Sequence, residues 1–319
     1  MLPSTGLRPL ASGPCVVLAG PTGGGKSAVG IELAQRIDGE IISLDSMAVY
    51  RGMNIGTAKP SEADRRLVPH HLIDIVDPWE DFSVAQYLDA AGDAVREIRA
   101  RNRLPVFVGG TPLYLKALLR GLFSGPAADW DLRRQLAEVA RQSDAAELHR
   151  RLAAVDPAAA AKLHPNDVRR LIRALEVFHH TGRLISEQQR QFNEPPIGEP
   201  AKVFVLDWPR EKLHQRIEKR VDAMFAAGLV DEVRALISIG HGRSLSRTAG
   251  QAVGYREILA HLAGDTNLAT TVDLVKLHTR QFAKRQLTWF RSLHECRWIP
   301  MAEPLLPGQV AAKIASSAV

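Results

Sequence analysis

Short apolar runs alternate along much of the chain with longer stretches in which apolar residues recur every three or four positions. The runs lie at residues 16–19, 41–44, 72–76, 106–108 and 203–206. The middle runs are separated by segments long enough for crossover helices, such as residues 83–101. Strands that alternate with helices predict an α/β fold built on a parallel sheet.

The pattern changes between residues 122 and 200, where the strand-like runs disappear. Apolar residues recur there at the spacing of amphipathic helices, at Leu132, Leu136, Val139, Val168, Leu171, Ile172, Leu175 and Val177. A breaker-rich segment at 193–200 closes this stretch before a sheet pattern returns. We therefore expect a core in two parts, residues 1–121 and 201–319, with an all-helical insertion at 122–200. The second core part is helical after residue 210 and includes a basic segment at 276–293.

The composition is that of a globular protein and limits its class. The 319 residues are 45% hydrophobic and 24% charged, and the formal net charge of +6 favours a polyanionic partner. Two cysteines cannot form a disulfide framework or a zinc site. We expect no signal peptide, and no apolar run of about 18 residues occurs, so we expect a cytoplasmic protein with no membrane partner.

A glycine-rich loop follows the first predicted strand and precedes a predicted helix. It reads Gly20, Pro21, Thr22, Gly23, Gly24, Gly25, Lys26 and Ser27, which matches the phosphate-binding pattern G-x-x-x-x-G-K-[ST]. The glycines allow backbone amides to surround an anion at a helix N-terminus. Lys26 is placed to reach a terminal phosphate, and the Ser27 hydroxyl to bind Mg²⁺. The fold class is therefore a P-loop NTPase-like parallel sheet flanked by helices.

A second interpretation starts from the same loop. Gly23, Gly25 and Ala28 also fit the dinucleotide pattern G-x-G-x-x-[GA]. Glu40 or Asp45 would then be the acid that binds a ribose. The Lys–Ser pair favours the phosphate loop, because a dinucleotide turn needs neither residue. A phosphate loop occurs in enzymes of several kinds, so the motif alone does not name the reaction.

Several further blocks follow the loop in a definite order. They are DSM at 45–47, VYRG at 49–52, IGTAKP at 55–60, HHLID at 70–74, VGGTPLY at 108–114, ND and RR within 166–170, RALEV at 173–177 and VGYRE at 253–257. With these blocks the chain resembles the tRNA dimethylallyltransferase family, also called isopentenyl-pyrophosphate transferases, in its bacterial form. The resemblance covers most of the chain.

The resemblance implies a reaction and its partners. In the family the loop binds the diphosphate of dimethylallyl diphosphate together with Mg²⁺, and no nucleotide is hydrolysed. The acceptor is the exocyclic amine of the adenine next to the 3′ side of the tRNA anticodon, and pyrophosphate leaves. Asp45 matches the general base, and Thr111 matches a hydroxyl that assists at the reaction centre. We expect a monomer that contacts the anticodon stem-loop of tRNA.

The resemblance also implies which residues contact tRNA. They are Asp45, Ser46, Met47, Ala48, Thr111, Arg133, Arg169, Arg170, Leu171, Ile172, Arg173, Ala252, Val253, Gly254, Tyr255, Arg256 and Glu257. Many members have Gln where this chain has Ala48. This difference affects one expected contact to the base and does not affect the role expected of Asp45.

Structural explanations compete with functional ones at several positions. Thr111 before a proline suits the N-cap of a helix. Helical spacing places Arg169 and Arg173 on one face, where arginines are commonly just solvated. The basic residues at every fourth position of 276–284 allow both interpretations. The histidine pair at 70–71 lacks a third metal ligand at suitable spacing, which favours a local structural role.

Three classes of function therefore compete: an RNA-modifying prenyltransferase, a small-molecule P-loop kinase and an RNA-binding nucleotide switch. The ordered blocks favour the first class. A switch would need an acid at the end of a strand, and the run at 106–108 ends in Gly109, Gly110 and Thr111 instead. Asp74 and Asp77 leave that question open. Within the prenyltransferases a free adenine nucleotide is the alternative acceptor, and the arginines of the helical insertion favour tRNA.

Overall fold

The structure is a computed structural model and describes residues 14–318 except 122, 124, 143, 144, 189–200 and 241. The described residues form two compact units, one of residues 14–119 and 201–318 and one of residues 120–188. The breaker-rich segment at 193–200 and the first 13 residues lie outside the described part of the chain.

The larger unit is built on a six-stranded sheet in which neighbouring strands are parallel. The strands are β1 (Val16–Ala19), β2 (Gly39–Leu44), β3 (His70–His71), β4 (Leu104–Gly109), β5 (Lys202–Asp207) and β6 (Cys296–Pro300), in the order β3-β2-β4-β1-β5-β6. β1 and β2 are buried along their whole length, as expected of parallel strands covered on both faces. The predicted α/β class and parallel sheet are confirmed.

The helices fall where the hydrophobic periodicity changes. They are α1 (Lys26–Arg36), α2 (Glu62–Leu67), α3 (Val84–Ala100), α4 (Pro112–Arg120), α5 (Trp130–Gln142), α6 (Ala145–Val155), α7 (Pro157–Ala160), α8 (Val168–Thr181), α9 (Ile185–Gln188), α10 (Arg210–Ala226), α11 (Leu229–Ile239), α12 (Tyr255–Leu262), α13 (Leu268–Arg291) and α14 (Pro307–Ala318). The helix predicted at 83–101 is α3. Its start is fixed by a capping box, in which Ser83 and Gln86 each accept the other's backbone amide.

Two predicted features of the sheet are wrong. The run at 72–76 is not a strand, because Leu72 and Asp74 have φ angles of 61° and 57°, in the left-handed region that strands exclude. β3 ends just before this turn, and Val76 makes only an isolated bridge to Tyr50. We also predicted no strand after residue 206, whereas β6 is the edge strand beside β5. Only Ile299 of its five residues is buried, and its sequence, CRWIP, lacks the apolar run that marks the other strands.

A separate apolar cluster anchors the loop that follows β2. Val49, Tyr50 and Met53 of this loop are fully buried against Val233 of α11 and Tyr255 of α12. Burial of side chains this large contributes on the order of 1.5–3 kcal/mol each. The loop that begins at residue 45 is therefore held by a core of its own and not only by the strand before it.

The smaller unit is all-helical and surrounds a buried carboxylate. Leu171 and Val177 of α8 belong to its apolar core, and Glu176 lies beside them with no exposed surface. Both carboxylate oxygens accept from Arg133 at 2.7 Å, and Arg173 Nη1 donates to one of them at 2.6 Å. Burial alone would raise the pKa of Glu176, but these bonds outweigh it and hold the pKa below its usual range. Arg133 and Arg173 thus stabilise the unit that carries them.

The end of β4 provides a test of the sheet. A Cβ added at Gly109 would lie 2.2 Å from the carbonyl oxygen of Leu44, its partner at the end of β2. We expect Gly109→Ala to lower the free energy of unfolding by about 1–3 kcal/mol or to prevent folding. Gly250→Ala is the control, because its nearest new contact is Leu245 Cβ at 3.7 Å. Chemical denaturation measures both, and equal effects would contradict this account of the strand spacing.

Candidate active site

Three loops begin side by side at the carboxyl edge of the sheet. Ala19, Leu44 and Gly109 end β1, β2 and β4 and lie in register across the sheet. The phosphate loop, the segment 45–48 and the turn at 110–111 follow directly from them. Open α/β sheets bind ligands at this edge. The loops border a cavity of about 530 Å³, which residues 56–60, α10, the segment 251–256 and α13 complete.

The phosphate loop is held through its carbonyl groups. Trp208 Nε1 donates to the Gly24 carbonyl at 2.9 Å, and Arg216 Nε donates to the Gly23 carbonyl at 3.0 Å. The Arg216 guanidinium also lies over the Trp208 ring, 4.4 Å from its centre. Gly25 then turns the chain into α1 with a φ of 85°, which glycine adopts without strain. The first amides of α1 therefore stand at the loop, available to an anion.

Two cations lie in the cavity close to a single carboxylate. Lys26 Nζ donates to the Pro21 carbonyl at 2.8 Å. Burial, together with repulsion from Arg220, lowers the pKa of Lys26 to about 8, while Asp45 acts in the opposite direction. Burial also lowers the pKa of Arg220, and Asp45 again opposes this. The cavity thus has an excess of positive charge on this side, which suits a polyvalent anion.

Asp45 and Thr111 are fixed on adjacent loops. The Asp45 carboxylate accepts from the Met47 amide at 2.8 Å. The Thr111 hydroxyl oxygen accepts from the Ser46 amide at 3.0 Å, and the Thr111 amide donates to the Leu44 carbonyl at 3.1 Å. Thr111 directly precedes α4, as its sequence suggested, but its hydroxyl binds the segment that carries Asp45. The carboxylate and the hydroxyl are therefore held in one place, beside the phosphate loop.

Most predicted site residues of the larger unit meet in this cavity. Those that line it are Thr22, Lys26, Ser27, Asp45, Ser46, Met47, Ala48, Thr111, Ala252, Val253, Gly254 and Arg256. The hydroxyl of Ser27 is an oxygen ligand of the type that Mg²⁺ prefers.

Two residues predicted to contact RNA have internal partners. Tyr255 is fully buried, and its hydroxyl donates to Glu232 at 2.6 Å. Glu257 is also buried and accepts from the Gly254 amide at 2.7 Å and from the half-exposed guanidinium of Arg256. Their side chains shape the segment 252–256, and Arg256 is the charged residue of that segment on the cavity.

In the helical unit the predicted RNA contacts divide by exposure. Leu171 and Ile172 are buried in its core, so their side chains offer RNA no surface. Arg169 and Arg170 are exposed on α8. Arg170 lies 3.5 Å from Asp167, a distance at which an exposed pair contributes little. On α8, the exposed residues among those predicted to contact RNA are therefore Arg169 and Arg170.

The basic stripe predicted on α13 is partly neutralised. Lys276 Nζ lies 2.6 Å from Asp222 and Arg280 Nη1 lies 2.7 Å from Glu218, both carboxylates belonging to α10. Lys284 is exposed. The first two positions of the stripe thus join α13 to α10, and Lys284 is the position of the stripe that stays exposed.

The histidine pair has local partners. His70 Nδ1 lies 2.7 Å from the Val68 carbonyl oxygen, and His71 Nε2 lies 2.7 Å from Glu40. Within the described ranges no group of three or more His, Cys, Asp or Glu side chains is arranged to hold a metal ion. Over the same ranges no helix has the length and apolar character needed to cross a membrane.

Arg220 and Gln286 are polar residues of the cavity that sequence reasoning missed. Arg220 lies on α10 between Ile217 and Val221, which are buried, so an arginine at the border of an apolar stripe was the available signal. Gln286 of α13 is a buried polar side chain on the cavity. Gln286 follows the buried Ala283 by three positions and precedes the buried Phe290 by four, so a polar residue on the apolar stripe of α13 was the available signal.

The fold and the cavity define a P-loop-type α/β protein with a binding site for a phosphate-bearing ligand. The family model for IPP transferase matches residues 48–293. The chain is 50% identical to the tRNA dimethylallyltransferase of Geobacter metallireducens, over 89% of this chain and 91% of that protein. It is 48% identical to the tRNA dimethylallyltransferase of Desulforudis audaxviator, over 95% and 97%.

Solved structures agree with these relatives. The full-length tRNA isopentenylpyrophosphate transferase of Bacillus halodurans superposes with a TM-score of 0.70 at 39% identity, over 96% of each chain. A eukaryotic dimethylallyltransferase acting on tRNA superposes with a TM-score of 0.76 at 30% identity, over 95% of this chain and 78% of that one. The chain belongs to the tRNA dimethylallyltransferase family of prenyltransferases, which confirms the resemblance noted from its sequence blocks.

The lowered pKa of Lys26 predicts a pH dependence of anion binding. A bound anion favours the charged lysine, so binding takes up a proton when the pH exceeds the ligand-free pKa of about 8. The affinity of the wild type for inorganic pyrophosphate, divided by that of Lys26→Met, should be highest below this pH and fall above it. The ratio cancels the titration of pyrophosphate itself. Calorimetry measures it, and a constant ratio between about pH 7 and pH 9.5 would show that Lys26 does not titrate there.

Proposed function

We propose that this chain transfers the dimethylallyl group of dimethylallyl diphosphate to the exocyclic amine of the adenine next to the 3′ side of a tRNA anticodon. Pyrophosphate is the other product. The observation that carries the proposal is that Lys26 and Arg220 share one cavity with Asp45 and Thr111. The names of the relatives support the donor and the tRNA acceptor. A cytoplasmic, monomeric enzyme is part of the proposal.

The cationic side of the cavity receives the diphosphate. Lys26 exchanges its bond to the Pro21 carbonyl for a phosphate oxygen, and Arg220 approaches the same anion from α10. As the bond from carbon to diphosphate oxygen breaks, negative charge grows on the leaving group. Fixed cations in a half-buried site stabilise that charge more than water does. This stabilisation favours departure of pyrophosphate.

Ser27 is the residue that would hold Mg²⁺. It lines the cavity near the start of α1 and supplies a hydroxyl oxygen next to the phosphate loop. A bound Mg²⁺ would neutralise part of the diphosphate charge.

Asp45 and Thr111 serve the acceptor. The adenine nitrogen forms a bond to the first carbon of the dimethylallyl group, the carbon–oxygen bond to diphosphate breaks, and the amine proton passes to Asp45. Carboxylates are weak bases at neutral pH, so proton loss accompanies or follows carbon–nitrogen bond formation. The Thr111 hydroxyl accepts from the Ser46 amide and donates to Ser46 Oγ over a long 3.4 Å, a weak bond that it would exchange for one to the reaction centre.

The direct test is product analysis. The protein is incubated with Mg²⁺, dimethylallyl diphosphate and bulk tRNA, and the digested nucleosides are analysed by mass for isopentenyladenosine. Lys26→Ala is the matched control and should give no product, because the diphosphate loses a neutralising charge. Brisk ATP hydrolysis without prenyl transfer would contradict the proposal. Product on adenosine monophosphate but not on tRNA would favour a free-nucleotide acceptor.

Asp45→Asn separates binding from chemistry. Asparagine keeps the shape of the side chain and can still accept the Met47 amide, but it cannot take a proton at neutral pH. The single-turnover rate with both substrates saturating should fall by about a hundredfold or more. The dissociation constants for both substrates should stay within about tenfold of wild type. A near-normal transfer rate would remove Asp45 from this role.

Arg169 and Arg170 test the RNA contact of the helical unit. Changing both to alanine should weaken tRNA binding and reduce the slope of log affinity against log salt by roughly 0.7–0.9 per lost phosphate contact. Arg173 is left intact, because its loss would remove one of the two arginines that neutralise the buried carboxylate of Glu176. Alanine at Arg150 and Arg151, two exposed arginines of α6, is the matched control and should leave the slope unchanged. Equal slopes for wild type and the 169/170 variant would identify these arginines as merely solvated.

A further inference from the structure

One buried side chain of α13 joins the two halves of the cavity. Gln286 has only 3% of its surface exposed. Its carbonyl oxygen accepts from the Thr22 amide of the phosphate loop at 2.8 Å, and its amide nitrogen donates to the Gly110 carbonyl at 2.6 Å. Both ends of the side-chain amide are therefore bound to backbone, each on a different loop.

We propose that Gln286 is a positioning residue that sets the distance between the donor and acceptor sides of the active site. The inference rests on the proposed function. Thr22 belongs to the loop that receives the diphosphate. Gly110 precedes Thr111, whose hydroxyl binds the segment of Asp45 through the Ser46 amide. A path of hydrogen bonds and backbone from the phosphate loop to the segment of the general base thus runs through one glutamine.

The partners of Gln286 allow only one orientation of its amide. A flipped side chain would set its NH₂ group against the Thr22 amide hydrogen and its oxygen against the Gly110 carbonyl, which are two repulsive contacts. Glutamate cannot donate to the Gly110 carbonyl, and methionine can neither donate nor accept a comparable bond. Glutamine is therefore the residue of this length that satisfies both loops.

The space around Gly110 shows how closely the two loops approach. A Cβ at this position would lie 2.6 Å from Gln286 Nε2, 3.1 Å from the Gly20 carbonyl oxygen and 3.4 Å from Lys26 Nζ. Any side chain at Gly110 would therefore displace the glutamine amide or the phosphate loop. The reacting carbon and the adenine amine must approach within bond-forming distance between these loops, where misplacement by about 1 Å can cost on the order of a hundredfold in rate.

Gln286→Met is the first test, because it keeps the length of the side chain and adds no charge. We expect the single-turnover rate at saturating tRNA and dimethylallyl diphosphate to fall by about ten- to a hundredfold. The dissociation constants for pyrophosphate and for tRNA, measured separately, should stay within about fivefold. A rate that returns to the wild-type value at high donor concentration would overturn the inference, since Gln286 would then serve donor binding alone.

Thr271→Val is the matched control on the same helix. Thr271 is fully buried and its hydroxyl lies 2.9 Å from that of Thr266 and 2.8 Å from the Asn267 carbonyl oxygen, away from the cavity. This variant should lower the melting temperature without changing the saturated transfer rate. If Gln286→Met lowers the melting temperature in the same way and leaves the saturated rate within twofold of wild type, its role is structural and the inference fails.

Gly110→Ala tests the same contact from the other side and remains informative if Gln286→Met does not fold. It should reproduce the loss of saturated rate, and the double variant should be hardly slower than either single one, because both disrupt one link. Additive losses would contradict a shared role. Failure of wild-type protein to prenylate tRNA would instead reject the proposed function, so the two failures are distinct.

Discussion

The common register of three strand ends is the constraint on which the site depends. Ala19, Leu44 and Gly109 finish side by side, so the loops that follow them start within reach of one another. This register needs glycine at residue 109, where the Leu44 carbonyl leaves no room for a Cβ. Parallel strands bring residues far apart in sequence to one edge without any contact between their side chains. The donor loop, Asp45 and Thr111 thus owe their proximity to backbone geometry.

Charge balance distinguishes this site from other buried charges in the chain. Glu40 is bound by Arg101 and His71, and Glu176 by two arginines, so each of these carboxylates is neutralised by the protein itself. In the cavity Lys26 and Arg220 face one carboxylate, and the pKa of each cation is lowered. Such an excess of positive charge costs stability and is relieved by an anionic ligand. The imbalance therefore indicates a binding site, whereas the balanced clusters indicate structure.

The sequence was most informative where function depends on neighbouring residues. The phosphate loop and Asp45 directly follow strands, so spacing along the chain places them correctly. Arg220 and Gln286 line the same cavity but lie much later in the chain, on α10 and α13. Only the tertiary fold shows that they meet the phosphate loop and Asp45 there. The false strand at 72–76 has an apolar pattern but left-handed residues, which a pattern of hydrophobicity cannot reveal. The fold also decides which of the predicted RNA contacts are exposed, since Tyr255 is entirely buried.

Side chains hold the backbone of the two loops in opposite ways, by binding carbonyl groups in one loop and amide groups in the other. On the donor side, Arg216 and Trp208 bind carbonyl groups of the phosphate loop, and the first amides of α1 remain for an anion. On the other side, Glu232 accepts the successive amides of residues 54, 55 and 56 at 2.7–3.1 Å, together with the Tyr255 hydroxyl. These three amides are therefore bound to a carboxylate and are not available to an anion. Ala48 lies on this cavity as a small buried residue, so a larger side chain there would reduce the space available to a ligand.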